Sequence, residues 1–145
     1  MNWKVEAEEK LRRYPAMRQA AKNIPQEIKR LENQACAIRA VQTDAIPSRG
    51  GRDGREDMLM NNMVKRQELQ WALEDARLWL SNTERALKTL NQEEQTVLSR
   101  MLIFPEDGAA QRLCMDLGVE TSSVYRRRDS ALRKFTIALY GALES

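Results

Sequence analysis

The chain has 145 residues, 42% of them hydrophobic, 31% charged and only 6% aromatic, with no histidine and a formal net charge of +3. That balance suits a helical protein with a thin core better than a sandwich or an α/β enzyme. The missing histidines remove the usual general base and the commonest metal ligand, and Cys36 and Cys114 lie too far apart for a zinc spacing, so neither catalysis nor a metal or cofactor is expected. The two cysteines are read as small buried hydrophobes in a reducing compartment. No apolar run reaches the roughly 18 residues of a membrane span, and residues 1–10 are polar and acidic, so the expectation is a cytoplasmic protein that does not engage a membrane.

Residues 3–14 read as a short amphipathic helix with Val5, Ala7 and Leu11 toward a partner, which Pro15 bends or restarts, as Pro25 does again. From Ile24 the apolar positions Ile24, Ile28, Leu31, Ala35 and Ile38 alternate steps of four and three, the spacing of a coiled-coil seam. A loop is expected at 43–55, where Arg49, Arg52 and Arg55 stand among glycines; they could bind phosphate but read first as a flexible, soluble hinge. A long helix then starts near Asp57 and runs to about Leu90, with a seam of Leu69, Leu73, Ala76, Leu80, Thr83, Leu87 and Leu90. It outreaches the segment after Ile24, and Trp71 and Trp79 lie off its seam. Both features point to a second chain packed on this helix, a homo-oligomer formed through the N-terminal helices.

Asn91 and Glu94 have the spacing of a capping box, followed by a helix carrying Val97, Leu98, Met101, Leu102 and Phe104 on one face until Pro105–Gly108 ends it. Two helical patterns remain. The first holds Ala109, Ala110, Leu113, Cys114 and Leu117. The second holds Val124, Ala131, Leu132, Phe135, Ala138, Leu139 and Ala142. Gly118 separates them; it can take the left-handed conformation that ends a helix, leaving Val119 to tuck between the pair, while Thr121, Ser122 and Ser123 offer hydroxyl caps to the second helix. With Val124 at the centre of the buried side, a turn of about 100° per residue sends Ser122, Arg126, Ser130 and Arg133 outward and Tyr125 to a flank. Arg128 falls toward the core and is expected to need Glu93 or Glu94 as a partner. Residues 92–145 carry seven basic against eight acidic residues, yet Thr121 to Lys134 carries five basic residues against Asp129 alone, a basic edge on a neutral module.

The run LGVETSSVYRRRDSALRKF is similar to region 4 of bacterial sigma factors in its glycine turn, its valine four residues into the second helix and its ALRKF ending. Nearly the whole chain resembles the ArpU family of phage transcriptional regulators, although the last third is the specific part. Glu120 stands where sigma-type sequences usually place serine or threonine, which moves the expected cap to Thr121. The resemblance implies an all-α fold with a helical hairpin over 1–90 and a three-helix DNA-binding module over 91–145. It also implies a regulator of phage or prophage late genes in a bacterial host, binding double-stranded DNA, with RNA polymerase as a further partner. The residues expected to meet DNA are Thr121, where the helix enters the groove, Ser122, Ser123, Tyr125 and Arg126 at bases or the nearest phosphates, and Arg127 and Arg133 on the backbone. Two alternatives stand beside this reading: a phage small terminase subunit, which usually carries its helix-turn-helix first, and a coiled-coil scaffold that binds no DNA.

Overall fold

The computed structural model describes residues 2–44 and 54–141, and among them every regular element is helical. Five α-helices follow one another: α1 (Trp3–Asp44), α2 (Arg55–Lys88), α3 (Gln92–Leu98), α4 (Ala109–Leu117) and α5 (Thr121–Tyr140), with a π-helical turn, Ser99–Ile103, continuing α3. Arg49 and Arg52 of the expected loop lie outside the described residues, whereas Arg55 opens α2. None of the described helices is long and apolar enough to cross a membrane. The chain forms two compact units, one holding Gln19–Arg77 and the other holding the residues up to Arg18 together with those from Leu78 onward. The unit that contains the last three helices therefore takes in more than 91–145.

α1 runs for 42 residues without a break at Pro15 or Pro25. A proline inside a helix forfeits one backbone hydrogen bond and crowds the preceding turn, at a cost of about 3 kcal/mol. Leu11 and Tyr14 are buried before the first proline, and Leu31 and Ala35 after the second. Burial of Leu11, Tyr14 and Leu31, worth about 1.5–3 kcal/mol each, is of the same order as the two defects together. The continuity has a further consequence: α1 is longer than the 34-residue α2, so the length mismatch that argued for a second chain is gone.

In the 19–77 unit α1 and α2 pair antiparallel around Leu31, Ala35, Leu73 and Ala76. Asn62, 5% exposed, donates to the Leu31 carbonyl at 2.8 Å and to Gln34 Oε1 at 3.3 Å, and accepts from Arg66 Nε at 2.8 Å. A buried amide with all its groups partnered fixes register, since sliding the helices would strand it. Cys36 is exposed, contrary to its expected burial. Trp71 is exposed, as are Met63 and Val64.

In the other unit Tyr14 donates to Glu84 Oε1 at 2.8 Å, and burial, then the Glu84 carboxylate, raises the phenol above its ordinary value. Lys10 and Arg13 cover the ring of Trp79 at 5.7 and 6.0 Å, so this tryptophan has partners within its own chain. Asn91 and Glu94 form the expected reciprocal cap at the start of α3. The following π turn, closed by Phe104 N–H onto the Ser99 carbonyl at 2.8 Å, inserts a residue and rotates the apolar face. Ile103 is consequently buried and Phe104 is 52% exposed, the reverse of what a regular helix would give. Late in α5, Ala138 is exposed; Gly141 caps the helix, and Ala142 lies outside the described residues.

Gly118 ends α4 at φ 66°, with its own N–H and that of Val119 both directed to the Cys114 carbonyl. Val119 packs against a cluster of Val97, Leu113 and Val124, joined by Met101, Cys114 and Leu117. A Cβ at Gly118 would meet nothing within 4 Å, so substitution carries a conformational cost without a clash. Gly118→Ala is therefore expected to destabilise the fold by about 1 kcal/mol, and Gly118→Asn by less, because asparagine tolerates the left-handed region. Urea denaturation checks the order; an alanine variant as stable as the wild type would contradict it.

Candidate nucleic-acid interface

Two helices fix how α5 is presented. α3 and α4 both pack on it, and Val124, Ala131, Leu132 and Phe135 are completely buried on its inner side. Helical geometry then turns Ser122, Arg126, Ser130 and Arg133 to the opposite side, and all four are exposed. Among the described residues, neither Arg126 nor Arg133 makes a hydrogen bond or an ion pair. Two guanidinium groups and two hydroxyls thus share one uncommitted surface.

The remaining expected residues are committed to different degrees. Thr121 is exposed, but its hydroxyl sits 3.4 Å from Cys114 Sγ. Ser123 is half-buried. Tyr125 is 43% exposed at the flank, with the Arg128 guanidinium 5.1 Å from its ring centroid. Arg127 forms an ion pair with Glu93 at the start of α3, so a phosphate approaching Arg127 would have to displace a carboxylate.

Two local expectations need correction. The N-cap of α5 is Glu120, extended at φ −77° and ψ 160°, and its side chain caps nothing. Thr121 is already helical and its hydroxyl turns toward α4, so no hydroxyl serves as the cap. The Ser123 and Val124 amides bond instead to the Glu120 carbonyl, at 3.0 and 3.1 Å. Arg128 is half-buried as its place on the wheel requires, but its partner is Asp129 at 3.2 Å, not Glu93 or Glu94. Those two carboxylates serve Arg127 and Lys134, the latter at 2.7 Å. Arg127 and Lys134 are seven residues apart, hence on one side of α5, and that side faces the acidic first turn of α3.

The opposite flank is closed by α1, whose Lys4 Nζ lies 2.9 Å from Asp129 Oδ2. On α4, Arg112 pairs with Glu106 at 3.4 Å, and Asp116 pairs with Arg100 at 2.7 Å. Fixed carboxylates therefore pair Arg127, Arg128 and Lys134 on the flanks of α5 and Arg112 on α4, and among the described residues Arg126 and Arg133 are the cations of α5 left without an ion partner. Among the described residues, no cluster of cysteine or carboxylate groups could hold a metal ion.

Comparison with protein-family models, curated proteins and solved structures finds nothing that matches this chain.

Burial works against ionisation of Asp129, but hydrogen bonds from Lys4 and Arg128 and the charges of both outweigh it and hold the carboxyl below its ordinary 3.8. At Glu94 burial is likewise outweighed, by Lys134 and the Asn91 backbone N–H, and the carboxyl lies below 4.5. A depressed folded pKa contributes stability that is complete above the unfolded value and fades as pH falls through the folded one. Stability should accordingly fall below about pH 4.5. The Asp129→Asn, Glu94→Gln double variant should lose about 1 kcal/mol near neutrality, a figure kept small because Asp129 and Lys134 are partly solvated, and should show a flatter acid limb. Melting temperature measured from pH 7 to pH 3 tests this, and superimposable pH profiles for the variant and the wild type would exclude it.

Proposed function

We propose that the chain is a sequence-specific double-stranded DNA-binding protein in which α4, the Gly118 turn and α5 act as a helix-turn-helix, with α5 entering a major groove. The observation that carries the reading is the outward stripe of Ser122, Arg126, Ser130 and Arg133, exposed and without internal partners among the described residues. A surface of this kind fits a duplex for chemical reasons. A guanidinium can donate two parallel hydrogen bonds to a guanine edge or to a phosphate, and short hydroxyl residues let the helix approach the groove wall while bonding to phosphate oxygens. The glycine turn supports the same reading, because burying Val119 and Val124 in one cluster sets the angle at which α5 leaves α4.

In this proposal Ser122 and Arg126 meet base edges, with Tyr125 beside them; Ser123 and Thr121 lie at the groove rim, and Arg133 holds backbone. Arg127 contributes only after exchanging Glu93 for a phosphate. The resemblance to sigma region 4 and to ArpU-type regulators extends the proposal to transcription control of late genes of a phage or prophage in the bacterial cytoplasm. RNA polymerase and a second copy of the chain are the further partners in that extension.

Arg126→Ala is expected to weaken specific binding by roughly 1–3 kcal/mol and to relax preference at one base position. Its stability should be unchanged, since the side chain is exposed and makes no internal hydrogen bond or ion pair. Selecting bound fragments from a random duplex pool and then titrating the winner by gel shift tests both halves. Failure to enrich any fragment would overturn the proposal, and wild-type affinity for the variant would remove Arg126 from the interface.

A further inference from the structure

An open cavity of about 300 Å³ lies beside the first turns of α5, and guanidinium groups from two distant parts of the chain line it: Arg12 of α1 and Arg128 of α5, together with Tyr125. Like charges on one cavity wall need compensation. Arg128 has it, from Asp129 and from the ring of Tyr125. Arg12 has much less. Its carboxylate partner, Glu8, is 3.9 Å away, and the Arg12 side chain remains 59% exposed. Glu106 also lines the cavity, but it is already shared by Arg100 at 3.5 Å and Arg112 at 3.4 Å. Asp129, the other nearby acid, is divided between Arg128 and Lys4. The cavity thus has more positive charge around it than its own acids satisfy, and it is open, so an anion can reach that charge from solvent.

Its location gives the charge a use. Tyr125 is the immediate neighbour of Arg126, so the cavity borders the edge of the stripe proposed to meet DNA. A duplex seated on that stripe carries its sugar–phosphate backbone along the groove rim, where fork-shaped guanidinium donors match phosphate oxygens. We infer that Arg12, with Arg128 beside it, clamps a backbone phosphate of the bound duplex, so that α1 is part of the DNA interface and not only a support for α5. This inference rests on the DNA-binding reading and adds to it a residue more than a hundred positions from α5.

The test is equilibrium binding of the full chain to a labelled duplex by fluorescence anisotropy at several salt concentrations. The variants are Arg12→Ala, Arg12→Lys, Arg126→Ala and, as a control, Lys22→Ala, an exposed cation farther along α1. Loss of one phosphate contact should lower the magnitude of the salt slope by about 0.9. Arg12→Ala should show that drop with a several-fold loss of affinity at low salt and an unchanged melting temperature. Arg12→Lys should recover most of the slope, and Lys22→Ala should keep all of it. If Arg126→Ala weakens binding while Arg12→Ala keeps the wild-type slope, the clamp is wrong and the DNA reading survives. An equal slope loss in Lys22→Ala would replace the clamp by diffuse charge. Competition by inorganic phosphate beyond its ionic-strength effect would point to a free-anion site and overturn the backbone assignment. Absence of duplex binding by the wild type would overturn both readings together.

Discussion

The burial of Val124 between α3, α4 and α5 is the constraint on which the rest depends. With Val124 wholly inaccessible against Val97 and Leu113, the rotation of α5 about its own axis is set, and the direction of every other side chain in its first two turns follows from helical geometry. The left-handed Gly118 and the inward Val119 allow this, since they reverse the chain within a few residues and still fill the space between the two helices. A rotation of α5 by one position would place Ser123 or Tyr125 toward the cluster, at the cost of burying polar groups without partners.

Electrostatics then narrow what the outward side can do. The acidic first turn of α3 holds Arg127 and Lys134, and Asp129 holds Arg128 and Lys4. Five basic residues in α5 therefore yield only two uncommitted ones, Arg126 and Arg133, flanked by hydroxyls. A helix bristling with free cations would bind any polyanion, whereas two free guanidinium groups among paired ones would, under the proposed function, limit non-specific attraction and leave discrimination to contacts at the groove.

Much of the helical pattern was legible in the residues, because apolar spacing reports burial directly: Leu73, Ala76, Leu80 and Thr83 on α2, and Val124, Leu132 and Phe135 on α5, are buried as their periodicity requires. The errors share a cause, namely local rules overridden by tertiary contacts. Proline rules placed breaks in α1 that the burial of Leu11, Tyr14, Leu31 and Ala35 suppresses. A regular helical wheel could not foresee the π turn that exchanges Ile103 for Phe104, and no residue type marks such a turn. Asn62 is polar and precedes the leucine seam, so hydrophobic spacing does not mark it, although seven-residue steps to Leu69, Ala76 and Thr83 put it on the same face. At the candidate site the outward stripe was readable, whereas the choice of partners was not: whether Glu93 meets Arg127 or Arg128 depends on the packing of α3 against α5, which spacing within α5 does not encode. Arg12 was unreadable for the same reason, since only folding brings it beside Tyr125.

The central claim is that the outward stripe of α5 is the surface that meets a duplex. Backbone amide chemical shifts of the isotope-labelled full chain, followed through a titration with a selected DNA duplex, test it most directly. Perturbations and slowed exchange are expected to concentrate at Ser122, Arg126, Ser130 and Arg133 and to continue through Tyr125 to Arg12, with the Gln19–Arg77 unit scarcely affected. Perturbations centred on Trp71 and Met63 of α2, with the α5 stripe silent, would contradict it.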